Sequence, residues 1–198
     1  MSKLIFFYSS MGAGKSLDLL RINHNYSDIG KKPILLKPNI DTRWGLEKIT
    51  SRIGISADCS TFSESDDIHE LIMNMSGDFE DHGCVLIDEA QFLTKNHVWQ
   101  LCQTVDWLDI SVLCFGLRTD SNGNLFTGSK YLLALADELT EVPTLCWCGQ
   151  PATMTLRFDS STKQVIKEDD DNESIFVGDE GYTKVCRKHW TTSDIGPK

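Results

Sequence analysis

Through the first 142 residues, short apolar runs alternate with stretches whose apolar positions recur every three or four residues. Residues 3–8 are such a run, and a glycine-rich turn follows, the pattern of a buried strand entering a loop. Residues 16–26 can form a helix with Leu17, Leu20 and His24 near one face, ended by Gly30 and Pro33. Residues 34–37 read as the next strand, and the mixed, polar stretch 39–56 as a loop with an edge strand at 52–55. Ile68, Leu71, Ile72 and Met75 give 65–75 helical spacing. Residues 84–87 form an unbroken apolar strand that ends in Asp88 and Glu89. A helix over 96–105, a strand over 111–115, a short helix over 129–136 and a strand over 138–142 complete the series.

This alternation predicts an α/β fold, a parallel sheet with helices on both faces and right-handed crossovers. Pro143 marks a boundary, beyond which helical periodicity stops and paired cysteines, turn residues and an acidic run take over. Two domains are expected, 1–142 and a smaller one over 143–198, with a disordered tail after Ile195.

A hydrophobic content of 40% in 198 residues supports a real core. The net charge of −10, with basic residues only in small pairs such as Lys31 and Lys32 or Arg187 and Lys188, argues against nucleic acid as the main partner. A small anion held by backbone amides and one or two cations stays open. No apolar run reaches the roughly 18–20 residues that span a bilayer, and the first seven residues are too short for a secretory core. The expectation is a cytoplasmic protein without a membrane partner. Seven cysteines, an odd number with no secretion signal, disfavour a disulfide framework. Cys84, Cys102 and Cys114 read as core residues.

The candidate chemistry begins with SSMGAGKS: Ser9, Ser10, Met11, Gly12, Ala13, Gly14, Lys15 and Ser16. It matches the phosphate-binding pattern G-x-x-x-x-G-K-[ST], with Ser9 in place of the first glycine. In such a loop, backbone N–H groups converge on an anion and the following helix adds its positive end. Gly12 and Gly14 let the backbone approach, Lys15 reaches the β- and γ-phosphates, and the Ser16 hydroxyl suits Mg²⁺. The missing glycine serves the entry turn. The plainer alternative is a turn before a core helix. Asp88, expected on a neighbouring strand end, suits the magnesium shell, whereas an isolated acidic pair is commonly a surface turn. Glu89 would orient water in an ATPase or accept a hydroxyl proton in a kinase, and the motif does not choose.

Cys146, Cys148, Cys186 and His189 supply four ligands suited to a closed, structural zinc site, against the alternative of buried thiols and a surface histidine. A segment this small needs such a staple. Between the two pairs lie an acidic run, 167–173, and an apolar stretch ending in Gly181 and Tyr182, which reads equally as a lid over an active site or a plain zinc-ribbon strand. Two rival functions are weighed: an ATPase or motor on nucleic acid, disfavoured by the acidic balance, and a zinc interaction module with a vestigial loop, disfavoured by the intact Lys15, Ser16, Asp88 and Glu89.

The combination of SSMGAGKS with D-T-R at 41–43, D-E-A-Q-F at 88–92, G-L-R-T-D at 116–120 and the C-terminal zinc lobe resembles the type II thymidine kinases over residues 3–189, and most of all their bacterial and bacteriophage branch. The resemblance implies a RecA-like P-loop fold with a zinc-binding lasso domain. It also implies transfer of the ATP γ-phosphate to the 5′-hydroxyl of thymidine or deoxyuridine, in deoxynucleotide salvage for DNA synthesis. A homotetramer and feedback inhibition by dTTP would follow. By position, Glu89 is then the proton acceptor, and Ser16 and Asp88 hold magnesium. The loop residues from Ser9 to Ser16, with Asp88, Glu89, Ala90 and Gln91, bind ATP. Met11, Phe92 and Leu117 line the thymine pocket, and Thr155 hydrogen-bonds the base. Ile175, Phe176, Val177 and Gly178 form the lasso, Tyr182 contacts sugar or lasso, and Asp41 and Arg43 lie on a mobile active-site loop. Ser121 stands at a substrate position that is usually aromatic in the family, and Val177 where a lasso glycine is common.

Overall fold

The structure, a computed structural model, describes residues 1–75, 83–167 and 181–197. Its strands are β1 (Leu4–Ser9), β2 (Ile34–Pro38), β3 (Lys48–Thr50), β4 (Ser56–Asp58), β5 (Ser60–Phe62), β6 (Cys84–Ile87), β7 (Ser111–Leu117), β8 (Glu138–Glu141), β9 (Met154–Arg157) and β10 (Tyr182–Val185). Its helices are α1 (Lys15–Asp28), α2 (Ile68–Met75), α3 (Lys95–Leu108), α4 (Thr127–Leu135) and α5 (Arg187–Thr191). Six strands pair in parallel in the order β5-β2-β6-β7-β1-β8.

Successive side chains of a strand point to opposite faces, and here both faces are apolar, so the runs read as continuous. Leu4, Phe6, Ile34, Leu36, Val85, Ile87, Val112 and Cys114 pack with Ile68 and Ile72 of α2, Val98 and Leu101 of α3 and Leu132 of α4. Leu35, Cys84, Leu86, Leu113 and Phe115 form the opposite cluster with Leu19 and Leu20 of α1 and Ile49 of β3. Each large aliphatic side chain buried this way contributes roughly 1.5–3 kcal/mol. The α/β expectation, with helices on both faces, is met.

Two expectations are corrected and one strand is added. Residues 52–55 are not a strand but the turn between β3 and β4, because the Ser51 N–H and hydroxyl both bond to the Ile55 carbonyl (2.8 and 3.1 Å) and close the chain on itself. β5, which extends the sheet at one edge, is an element that the polar character of its surroundings conceals. The chain after Ile195 is not free at Gly196: Ile195 packs on the C-terminal core, and Gly196 lies so close to the Trp147 ring that a Cβ there would meet it at 2.5 Å.

The C-terminal lobe is small. β9 and β10 form an antiparallel pair, and its apolar cluster consists of Cys146, Ala152, Leu156 and Val185 with partly buried neighbours. Polar contacts tie the lobe to the sheet domain. The Arg118 guanidinium donates to the Thr153 carbonyl (3.0 Å), and the Trp190 indole N–H to that of Ser121 (2.9 Å).

Candidate active site

The loop between β1 and α1 turns through Gly14, whose φ of 93° is the left-handed conformation that glycine adopts without steric cost. Lys15 opens the helix and is buried. Its ammonium donates back to the Ser10 carbonyl (3.1 Å) and the Ser9 hydroxyl (3.3 Å). Burial pushes its pKa down to about 8 against the pull of Glu89 and Asp88. The Ser16 hydroxyl donates to Asp88 Oδ2 at 2.8 Å. Asp88 follows β6, which is not the neighbour of β1 that the motif implied, because β7 lies between them. The contact is made from the first turn of α1, which reaches over the sheet end. Burial first, and then the Glu89 charge, raise Asp88 to about 7, with the Ser16 hydroxyl and the Glu89 N–H opposing. Such a carboxylate is poised to gain a cation.

Glu89 has φ 51° and ψ 38°, a left-handed conformation that costs a residue with a side chain roughly 1–3 kcal/mol. Its carboxylate accepts from the Arg43 guanidinium and from Gln91 Nε2 (2.5 Å). The other end of the buried Gln91 side chain accepts from the Leu117 N–H at 3.0 Å. Gly116 makes room, since a Cβ there would approach the Gln91 backbone nitrogen to 2.9 Å and its Oε1 to 3.0 Å. Gln91, expected as an ATP contact, has its side chain engaged in holding Glu89.

On the other side, Asp41 is buried and accepts from Arg43 Nε at 2.7 Å. Burial works to raise its pKa, but Arg43 and Lys37 outweigh it and hold the carboxyl below its ordinary value. Arg43, against the same desolvation, is held protonated chiefly by Glu89 and Asp41. Lys37 is 1% exposed, and its ammonium donates to the carbonyls of Gly45 (2.7 Å) and Lys48 (2.9 Å) and pairs with Asp41 (3.7 Å). A continuous polar chain thus runs from Lys37 through Asp41, Arg43, Glu89 and Gln91 to the β7 backbone.

These groups surround one cleft of about 230 Å³, lined by the loop from Met11 to Ser16, by Asp41 and Arg43, by Asp88, Glu89 and Leu117, and by Trp44, Arg52 and Ile53. Other predicted residues lie around it. Ser9 and Ser10 are buried behind the loop, and the Ser10 hydroxyl donates to the Ala152 carbonyl (3.2 Å). Ala90 is fully buried at the start of a 3-10 turn. Thr155 is buried, its hydroxyl accepting from the Met11 N–H at 3.4 Å. Phe92 lines a different cavity of about 350 Å³ and meets Phe126 edge-on at 6.1 Å. Ser121 offers its carbonyl to Trp190, and Tyr182 sits on β10 opposite Arg157. Ile175, Phe176, Val177 and Gly178 lie outside the described residues.

Sequence reasoning missed Lys37, Arg52 and Lys184. Lys184 donates to the Gly12 carbonyl (3.1 Å) and the Thr144 hydroxyl (2.6 Å), clasping the phosphate loop from β10. Lys37 gave one signal, a cation in an otherwise apolar strand. The other two gave none.

The ligand atoms of Cys146, Cys148, Cys186 and His189 lie within 4.8 Å of one another. His189 Nδ1 is 3.3 Å from Cys146 Sγ and 3.4 Å from Cys186 Sγ. A zinc tetrahedron with Zn–S of about 2.3 Å and Zn–N of about 2.0 Å has edges of about 3.5–3.8 Å, so the four residues fit the ion. Trp147 stacks on the His189 ring (4.3 Å between centroids) and fixes its orientation. With all four positions taken by protein ligands, a zinc ion held there would be of the closed, structural kind. Among the described residues, no helix is long and apolar enough to cross a membrane.

The family model described as "Thymidine kinase" matches residues 2–190. Similar proteins include thymidine kinases of Photorhabdus laumondii (48% identity, covering 96% of this chain and 92% of the relative), Rhodopirellula baltica (50%, 96% and 88%) and Ruegeria pomeroyi (46%, 100% and 99%).

Proposed function

The chain belongs to the thymidine kinase family, and from that premise we propose that it transfers the γ-phosphate of ATP to the 5′-hydroxyl of thymidine, and of deoxyuridine, yielding the nucleoside monophosphate for DNA synthesis. The observation that carries the reading is the single cleft in which the phosphate loop, the Ser16–Asp88 contact and the doubly held Glu89 face one another. In this scheme residues 1–142 hold the phosphates, and residues 143–198 supply the nucleoside-binding lobe.

The residues divide the work as follows. Backbone amides from Met11 to Ser16, and Lys15 once it swings from the Ser10 carbonyl, hold the triphosphate. Ser16 and Asp88 are the groups that would hold Mg²⁺, which supplies charge neutralisation during transfer. Glu89 takes the 5′-hydroxyl proton as the oxygen attacks the γ-phosphorus. For that, Arg43 must release one carboxylate oxygen, while Gln91 keeps the side chain aimed. Met11, Leu117 and Thr155 border the base pocket, and Ile175, Phe176, Val177 and Gly178 are the lasso residues that the resemblance assigns to the base. Feedback by dTTP and a cytoplasmic homotetramer belong to the same proposal.

The test is incubation with ATP and Mg²⁺ against a panel of nucleosides. Thymidine and deoxyuridine monophosphates are expected products, with dTTP inhibiting and a tetrameric mass in light scattering. ATP hydrolysis with no nucleoside monophosphate would remove the kinase reading.

A further inference from the structure

The β3–β4 turn brings a cation to the cleft that none of the sequence motifs includes. The turn is held at several points. Buried Ser51 closes it through bonds to Ile55 and from the Gly54 N–H (2.9 Å). The ammonium of Lys37 anchors the Lys48 carbonyl beneath it, and Ile49, 1% exposed, packs with the residues of α1. Arg52 extends from this turn, and its Nη1 lies 3.4 Å from the position of a Cβ on Gly12, above the phosphate loop. It lines the same cleft as Lys15, Ser16, Asp88 and Glu89.

Arg43, the other arginine of this cleft, is bound to Asp41 and Glu89 and so serves the acceptor side. Arg52 stands instead over the loop whose amides receive the phosphates. Its charge helps to lower the pKa of Lys15, so two cations repel each other across one volume, an arrangement that an anion between them converts into attraction. A guanidinium presents a planar fork that matches two phosphate oxygens at once.

We propose that Arg52 is a catalytic residue that binds the β- and γ-phosphate oxygens of ATP opposite Lys15 and stabilises the charge that moves during transfer. The step itself is unchanged. The nucleoside 5′-oxygen bonds to the γ-phosphorus, the bond from that phosphorus to the bridging oxygen breaks, the proton goes to Glu89, and ADP leaves. Arg52 gives up no atom or electron. The inference rests on the kinase reading above and adds to it the source of the second phosphate cation.

The experiment uses the full chain and its Arg52→Met and Arg52→Lys variants. Steady-state transfer is measured with ATP varied at saturating thymidine and the reverse, and binding of ATP and ADP is measured by calorimetry. In other phosphoryl-transfer enzymes an arginine of this kind contributes about 10³–10⁵ in kcat. The expectation for Arg52→Met is a loss of at least about 100-fold in kcat/KM for ATP, with KM for thymidine within about threefold and an unchanged melting temperature, because the side chain is exposed. Arg52→Lys should recover part of the loss, and ATP affinity should fall more than ADP affinity. If both variants keep kcat/KM for ATP within about threefold of the parent, or if ATP and ADP affinities fall equally, Arg52 has no such role. The unaltered protein run in parallel separates the two ideas. Its failure to phosphorylate any nucleoside counts against the kinase reading, while the ATP-against-ADP comparison still decides Arg52.

Discussion

The sheet domain and the C-terminal lobe solve the problem of staying folded in opposite ways. The first buries apolar side chains on both faces of six parallel strands, including Phe6, Leu36, Ile87 and Phe115, each essentially inaccessible. Among its described residues the lobe has a two-stranded ribbon and four buried core residues, one of which is itself the metal-ligand candidate Cys146. A core that small does not offset the conformational entropy of ordering its chain, so a clip is needed. Yet the weaker region reaches into the stronger at its most sensitive point. Ala152, Thr155 and Lys184 contact Ser10, Met11 and Gly12, three consecutive residues of the phosphate loop. The loop between β1 and α1 therefore depends on both kinds of stability.

Removing the metal should break this comparison most visibly. Structural zinc contributes roughly 10–16 kcal/mol in small domains. Purified protein should carry about one zinc per chain. Chelation, or Cys186→Ser, should unfold the lobe while leaving the helical circular dichroism of the sheet domain largely intact. Transfer should fall by at least about 100-fold, because the phosphate loop loses its three partners. Carefully purified protein with no zinc and full activity would show that the lobe stands without a clip.

Glu89→Gln should separate chemistry from architecture. The variant is expected to fold, keep its zinc and bind ATP, while transfer drops by about 10²–10⁴-fold. Near-parental thymidine phosphorylation in this variant would take Glu89 out of the proton-accepting role.

The smallest effect is the most specific to the sheet domain. In the free enzyme, kcat/KM for ATP should rise as Asp88 loses its proton near pH 7 and fall as Lys15 loses its own near pH 8, changing about tenfold per pH unit on each flank. The stability of the zinc-loaded protein without magnesium should respond with opposite signs. Asp88 binds a proton in the folded state that the unfolded chain has released above pH 3.8, so stability declines as pH rises from there to about 7. Lys15 is deprotonated earlier when folded, so stability gains between about 8 and 10.5. A flat kcat/KM profile from pH 6 to 9 would mean that neither group controls the cleft.

Groupings that rest on local spacing were legible in advance. The glycine-rich loop after β1, the acidic end of β6 and the Cys146, Cys148, Cys186 and His189 cluster each combine a residue type with a spacing, and backbone geometry translates spacing into position. The β3–β4 hairpin was not legible in that way. Ile53 and Ile55, 69% and 50% exposed, look like strand residues but sit at its turn, while the strands flank them. The decisive bonds come from the Ser51 N–H and hydroxyl, which leave no periodic trace. α5, which carries His189, is also too short to register as a pattern.

The sequence by itself determined a parallel sheet with helices on both faces, a phosphate loop at the first strand–helix junction and a four-ligand clip near the end, because apolar period and ligand spacing are properties of neighbouring residues. Only the tertiary structure decided that Lys37 is buried, that Gln91 aims Glu89, that Lys184 clasps Gly12 and that Arg52 overhangs the glycine-rich loop. Lys184 and Arg52 reach residues far away in sequence, and Gln91 can aim its neighbour Glu89 only because the Leu117 N–H holds its other end; a buried cation or a strained backbone is stable only when carbonyls, carboxylates and amides arrive to meet it.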